Sequence, residues 1–426
     1  MCRLLCYMGV RVPMDILVTR PEHSLVSQSR DASFHPGCGN KRNIRVNGDG
    51  FGIAWYTPRR IEEGGCVVKF PTPAWSSTNL LNIAKFVESS LVFAHVRASS
   101  DGAVLVGNVN HENTHPFKYK RYTFMHNGGI PGFDRMKRQM LALLGDEAYR
   151  VIEGTTDSEV CFAFFLDELP NTDDQLSAAD IAQALRRTIV RIVSAVVHAA
   201  AATGCGVGGG DDIKGGGSKG FAGVSGACSA AETPAASPAM SLNFCVTDGR
   251  HIVCSRYRNH PRQDPPSLFV LSGAGFACEE EGSCLRLTAA EPLQSVVISS
   301  EPLCRSTKSW KLVPRNSMVI VEGRTSVEAT SVDDGNSEDG HGVTSDDGST
   351  DSCGGATSPA PQGETFGLGL VSSISYEPLR CHPSDAPPPD DAAASNLASL
   401  PSSCSELGNS IGDNSLGNKK YLANRN

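Results

Sequence analysis

Met1-Cys2-Arg3-Leu4-Leu5-Cys6-Tyr7 puts a cysteine next to a removable initiator methionine, at the head of an apolar run that reads as a β-strand. With Met1 removed, Cys2 carries both a thiol and a free α-amine. Unperturbed thiols titrate near ~8.5 and α-amines near ~7.7–8.0, so a proton passes between them at little cost and yields the reactive thiolate. That is a nucleophile with its own base. Taken alone, Cys2 reads more simply as a small apolar residue opening a strand, so the rest of the chain has to decide.

Outward from this strand, Pro21–Gly39 reads as a polar loop, and Asn47-Gly48-Asp49-Gly50 is a dense turn leading into a strand over Phe51–Tyr56. Cys66–Phe70 looks like its hairpin partner, and a short helix is expected over Leu80–Glu88. Leu91–Arg97 is a further strand, ending on a cation and followed by a loop, Ser99–Gly102. Tyr122–His126 is another, expected to break sharply at Asn127-Gly128-Gly129, after which Phe133, Met136, Met140, Leu141 and Leu144 recur at helical spacing. Thr156-Asp157-Ser158-Glu159 is a capping-box pattern before an apolar helix over Val160–Leu169. Ser177 opens a second helix running to about Ala202. Leu242–Thr247, the Asp248-Gly249 turn and His251–Tyr257 form a hairpin pattern, and Leu268–Leu271, Ser295–Ser299 and Met318–Val321 read as later strands.

The 426 residues carry a net charge of −8, but 15 acidic and 4 basic residues lie from Ser326 onward, which leaves an almost neutral body and no basic face for nucleic acid. Fifteen cysteines, an odd number with no CxxC pair, suit reduced thiols in the cytoplasm. No apolar run reaches the ~18–20 residues that span a bilayer, and a mature N-terminus at Cys2 leaves no place for a cleaved targeting peptide. Residues 203–239 are Gly, Ala and Ser with little else and are expected to be a flexible insertion. Residues 325–426, rich in Ser, Asp, Gly and Pro, are expected to be a disordered acidic tail whose apolar islands, such as Phe366–Ile374, are most simply chance.

Two motifs are set aside. His111-Glu112-Asn113-Thr114-His115 matches H-E-x-x-H, which binds zinc only when a helix brings both histidines to one face; turn-forming residues and Pro116 flank it here. The glycine clusters at Gly208 and Gly215 lack the strand, the helix and the Gly-Lys-Ser/Thr ending of a phosphate loop. No metal and no cofactor is therefore expected. What remains is Cys2, Arg97, Asn127-Gly128 and Asp157, a set suited to an amide substrate that is also an amino acid. A thiolate attacks the amide carbon, an Asn amide and a Gly N–H hold the oxyanion, an arginine clamps an α-carboxylate and a carboxylate holds an α-ammonium. Singly, Arg97 could equally be a surface cation, Asn127-Gly128 a hairpin turn and Asp157 a helix cap.

Cys2, Asn47-Gly48-Asp49-Gly50-Phe51-Gly52, His95-Val96-Arg97-Ala98, Asn113-Thr114-His115-Pro116-Phe117, His126-Asn127-Gly128-Gly129 and Thr155-Thr156-Asp157-Ser158-Glu159 occur in the order seen in class II glutamine amidotransferases, which are N-terminal-nucleophile hydrolases. Within them, Pro73-Ala74-Trp75, Phe93–Ser99 and Phe124–Ile130 resemble the stand-alone amidotransferase-like subunit of the cytosolic glutathione-degradation complex. The resemblance implies an α+β fold, a four-layer αββα sandwich, over residues 2–324. It implies Cys2 as nucleophile, its α-amine as base, Asn127 and Gly128 as oxyanion hole, and Arg97 and Asp157 as clamps on a γ-glutamyl substrate. The synthase members carry Thr and His soon after the arginine, where this chain has Ser99-Ser100-Asp101, and no ammonia-accepting domain follows. The expected activity is γ-glutamyl bond cleavage in glutathione with a peptidase-like partner. A stand-alone glutaminase and a non-catalytic scaffold subunit are the alternatives.

Overall fold

The computed structural model describes residues 2–32, 46–98, 100–101, 104–105, 108–202, 239–273, 276–278, 285–287, 293–304, 308–327 and 366–379. The expected insertion, but for its last residue, and most of the expected tail lie outside them.

Two antiparallel sheets form the frame. The first contains β1 (Arg3–Pro13), β2 (Phe51–Trp55), β3 (Cys66–Phe70), β4 (Glu88–Val96), β11 (Phe269–Gly273), β14 (Ser295–Ser299) and β15 (Lys311–Leu312). Its order is β15-β11-β14-β1-β4-β2-β3, so β1 is held on both sides. The second contains β7 (Phe117–Tyr119), β8 (Tyr122–Gly129), β9 (Ser241–Thr247), β10 (His251–Arg256), β16 (Ser317–Val327) and β17 (Phe366–Pro378), in the order β17-β16-β10-β9-β8-β7. Two short hairpins, β5 (Ser100–Asp101) with β6 (Val104–Leu105) and β12 (Phe276–Cys278) with β13 (Leu285–Leu287), stand outside these sheets.

Side-chain alternation in β1 sets the layers. Leu4, Cys6 and Met8 join Phe93, Met125, Cys245, Cys254, Val296, Ile298 and Val319 in a core between the two sheets. Leu5 and Tyr7 point the other way, against the helices α1 (Asp15–Val18), α2 (Leu25–Arg30) and α3 (Thr78–Phe86). With both faces covered, β1 reads as continuously apolar instead of alternating. On the far side of the second sheet, Phe124, Phe244, Val246, Val253 and Ile320 pack against α4 (Phe133–Leu141), α6 (Asp157–Asp167) and α7 (Ala178–Ala202); α5 (Asp146–Arg150) precedes α6. The layer order is helices, sheet, sheet, helices, an α+β architecture. Among the described residues no helix is long and apolar enough to cross a membrane.

Three expectations are corrected. The polar loop over Pro21–Gly39 contains helix α2, started by Ser24, whose hydroxyl accepts from Ser27 N; one turn and a half is too short for an apolar period to show. The strand expected to break at Asn127 continues to Gly129, because the segment from Ser241 pairs with it residue for residue, Asn127 opposite Asn243 and Gly128 opposite Leu242. Tertiary pairing overrides the local Asn-Gly turn preference. The tail expected to be disordered from residue 325 contains β17, which extends the second sheet along β16 and buries Val371, with Leu379 buried just past its end. The ordered body therefore runs past Arg324.

Candidate active site

β1 pairs with β4 so that Arg3 faces Val96 and Leu4 faces His95. One step further along the same ladder, Cys2 lies beside Arg97. Cys2 is 8% exposed, and its Sγ lies 3.4 Å from Ala98 N, from which it accepts, and 3.7 Å from Ala98 O. By alternation Cys2 shares the face of Leu4 and Cys6, and Asn127 shares that of Met125; both faces look into the space between the sheets. Ser300 closes the gap: its Oγ accepts from Leu4 N at 3.0 Å and from Asn127 Nδ2 at 3.3 Å. The nucleophile candidate and the oxyanion candidate thus stand on facing sheets, tied through one hydroxyl.

Arg97 is buried, with its backbone N donating to Gly50 O and one guanidinium N–H donating to Asn108 O at 3.0 Å. Burial lowers its pKa from the ordinary arginine value, and the charges of Cys2, Asp49 and Asp157 oppose that shift. Arg97 therefore lies within electrostatic reach of both Cys2 and Asp157. Asp157 opens α6 behind the Thr156 N-cap, whose hydroxyl accepts from Glu159 N. Its Oδ2 accepts from Ile130 N at 2.8 Å, three residues past Asn127. The Glu159 carboxylate does not return to the cap residue; it accepts from Glu153 N and Gly154 N, so only half of the expected capping box forms.

The segment 108–116 is the buckle between Arg97 and α6. Asn113 Nδ2 donates to Asn108 O, the carbonyl that also receives Arg97, and to Thr155 Oγ1, while Thr155 N donates to Asn113 Oδ1 at 2.7 Å. His111 is exposed and His115 buried, in turn conformation and not on one helix face, as expected for a loop and not a zinc helix. His115 instead stacks on His95, with ring centroids 4.1 Å apart.

Gly128 cannot be another residue without rearrangement: a Cβ there would lie 1.9 Å from Ser241 O and 2.5 Å from His126 Nε2. His126 Nε2 donates to Ser241 O, and Nδ1 lies 2.9 Å from Ser158 Oγ. Burial pushes His95 down to about 3 and His115 well below its ordinary value, and lowers His126 against the pull of Asp157. In all three rings burial disfavours the charged imidazolium. Among the described residues, the cluster able to gather round a metal is Cys6, Cys245 and Cys254, with ligand atoms within 4.8 Å of one another. It lies in the apolar layer between the sheets, and among the described residues no histidine or carboxylate joins it.

Cys2 and Arg97 lie at the adjoining ends of β1 and β4, Asn127 and Gly128 on the facing sheet, and Asp157 at the start of α6, where it accepts from Ile130 N. Sequence reasoning missed Arg3, Ser300 and Glu301. Arg3 gives its Nε to Glu301 Oε1 at 2.5 Å and one NH to the carbonyl of Cys2 at 2.9 Å. A charged residue inside the apolar run of β1 was the one available signal.

Residues 27–200 match the family model of class-II glutamine amidotransferases. A Saccharomyces cerevisiae protein named probable glutamine amidotransferase DUG3 is 34% identical over 332 residues, covering 76% of this chain and 83% of its own length. The gamma-glutamyl-hercynylcysteine sulfoxide hydrolase of Mycobacterium tuberculosis is 27% identical over 183 residues, 42% of this chain and 68% of that protein. Among solved structures, a glutamine aminotransferase class-II domain protein from Silicibacter pomeroyi aligns with TM-score 0.43 and 21% identity, over 75% of this chain and 95% of its own.

Proposed function

Because the chain belongs to the class-II glutamine amidotransferases, a family of amide-hydrolysing enzymes, we propose that it cleaves a γ-glutamyl amide through a thioester on Cys2. The observation that supports this reading is the placement of Cys2 against Ala98, next to Arg97 at the adjoining ends of β1 and β4, with Asn127 tied to the nucleophile strand through Ser300. Removal of Met1 frees the α-amine of Cys2, which takes the thiol proton. The thiolate adds to the γ-carbonyl carbon, and the Asn127 amide and Gly128 N–H receive the oxyanion. Arg97 holds the substrate α-carboxylate and Asp157 its α-ammonium. The α-ammonium of Cys2 then protonates the leaving amine, and water hydrolyses the thioester to give glutamate and the free thiol.

The clamps read the glutamyl end, which glutathione and glutamine share. Glutathione is the substrate we favour, on the motifs shared with the glutathione-degradation subunit and on a relative named for hydrolysis of another γ-glutamyl compound. On this reading the protein works in the cytosol beside a peptidase-like partner that takes the Cys-Gly product. Glutamate and ammonia release are measured with glutathione and with glutamine, with and without candidate peptidase partners. Faster glutamate release from glutathione, raised by a partner, is the expected result. Ammonia from glutamine as the dominant product establishes the glutaminase alternative, and no release from either substrate leaves the scaffold reading.

A further inference from the structure

The exit of β14 reaches both halves of the site. The ladder Leu5↔Ser299 brings the next two residues, Ser300 and Glu301, beside the head of β1. Ser300 N donates to Leu4 O and Leu4 N donates to Ser300 Oγ, each at 3.0 Å, so this serine is bound twice to the residue two places from Cys2. Its hydroxyl also meets the Asn127 amide at 3.3 Å, while Asn127 Oδ1 is buried with no hydrogen-bond partner. A serine hydroxyl both accepts and donates. With the amide turned over, Ser300 Oγ–H donates to Oδ1 and Nδ2–H faces the inter-sheet space, the orientation that an oxyanion donor needs.

Glu301 is fully buried. Its Oε1 takes Arg3 Nε at 2.5 Å and its Oε2 faces His23 Nε2 at 2.6 Å. Arg3 then donates to Cys2 O at 2.9 Å and to Ala32 O at 3.2 Å. A buried ion pair seldom stabilises a fold more than apolar packing of the same volume; its best-attested use is to fix register. Here the register concerns the backbone of Cys2.

We propose that Ser300 and Glu301 form a positioning pair that fixes the nucleophile to the oxyanion donor: Glu301 orients Cys2 through Arg3, and Ser300 sets the Asn127 amide against the same strand. The inference rests on the reading of Cys2 as the nucleophile. Neither residue touches substrate, and their effect is on how well Cys2 meets a γ-glutamyl carbonyl, not on thiol chemistry as such.

The test uses the full chain and follows the Cys2 peptide by mass spectrometry under two reagents. One is 6-diazo-5-oxo-norleucine, which must be seated as a glutamyl group to react; the other is iodoacetamide, which needs no seating. Misplacement of reacting groups by about 1 Å costs on the order of 100-fold, so in Glu301→Gln the seated reagent is expected to slow about tenfold or more. Iodoacetamide should remain within about twofold, since the thiol is unchanged. Ser300→Ala should show the same split, and Ser300→Thr, which restores the hydroxyl, should recover most of the wild-type rate. Glu301→Gln and Ser300→Ala both reacting at the wild-type rate overturn the proposal while leaving the nucleophile intact. Equal slowing or acceleration by both reagents, without rescue by Thr, assigns the pair to the fold alone and overturns it too. A wild-type chain that takes no seated label at Cys2 removes the nucleophile reading and this inference with it.

Discussion

Cys2→Ala is expected to fold as the wild type does and to lose γ-glutamyl hydrolysis by about 10⁴-fold or more, the scale on which removal of a covalent nucleophile acts. The cost to the fold is small because the thiol is lightly held: its partners are Ala98 N at 3.4 Å and Ala98 O at 3.7 Å, and the side chain stands at the edge of the core. Cys6 points into the same inter-sheet layer four residues along β1, but it is fully buried, and burial pushes its thiol well above the ordinary range, which keeps it protonated and inert. Glutamate release by the purified variant, set beside its thermal melt, checks both halves. Retained turnover with an intact fold would move the chemistry to another residue.

Asn127→Ala is expected to lower turnover by about 10²–10³-fold, since one oxyanion donor contributes about 2.7–4 kcal/mol to the transition state. Substrate binding should change little, because Arg97 and Asp157 hold the other end of the molecule. The position in the fold makes this variant a clean one. Asn127 is an interior residue of β8 paired with Asn243, not a turn residue, so alanine keeps the backbone it needs. Its contact with Ser300 Oγ is a long one of 3.3 Å, so its loss costs the fold little. Steady-state kinetics with kcat and KM resolved separate the outcomes: a fall in kcat alone is expected, and turnover within about threefold of wild type takes Asn127 out of the mechanism.

Much of the fold around this candidate site is legible in the sequence, because local signals there agree with the global fold. The apolar run from Leu4, the apolar strand around Phe93 and the Thr156 cap each follow from short-range chemistry that the tertiary structure leaves alone. Asn127-Gly128 shows the limit. Asn-Gly is a strong local turn signal, yet Gly128 stays in the strand because its missing Cβ lets Ser241 O come close, a contact made 113 residues away. β17 is hidden for a similar reason: its short apolar island stands in a long Ser-, Asp- and Gly-rich stretch and takes its form from β16. Ser300 holds Leu4 across 296 positions of sequence and Glu301 holds Arg3 across 298, and no local spacing could reveal that. The H-E-x-x-H match is the converse case. A motif's meaning depends on its secondary structure, and here the segment ties Arg97 to α6 through Asn108 and Asn113.

The central claim is that Cys2 is the processed N-terminal nucleophile of a γ-glutamyl site. Intact-protein mass spectrometry before and after treatment with 6-diazo-5-oxo-norleucine tests it most directly. The expected spectrum lacks the mass of Met1 and gains a single adduct, which maps to Cys2. A chain that keeps Met1, or a processed chain that stays free of adduct, would contradict it.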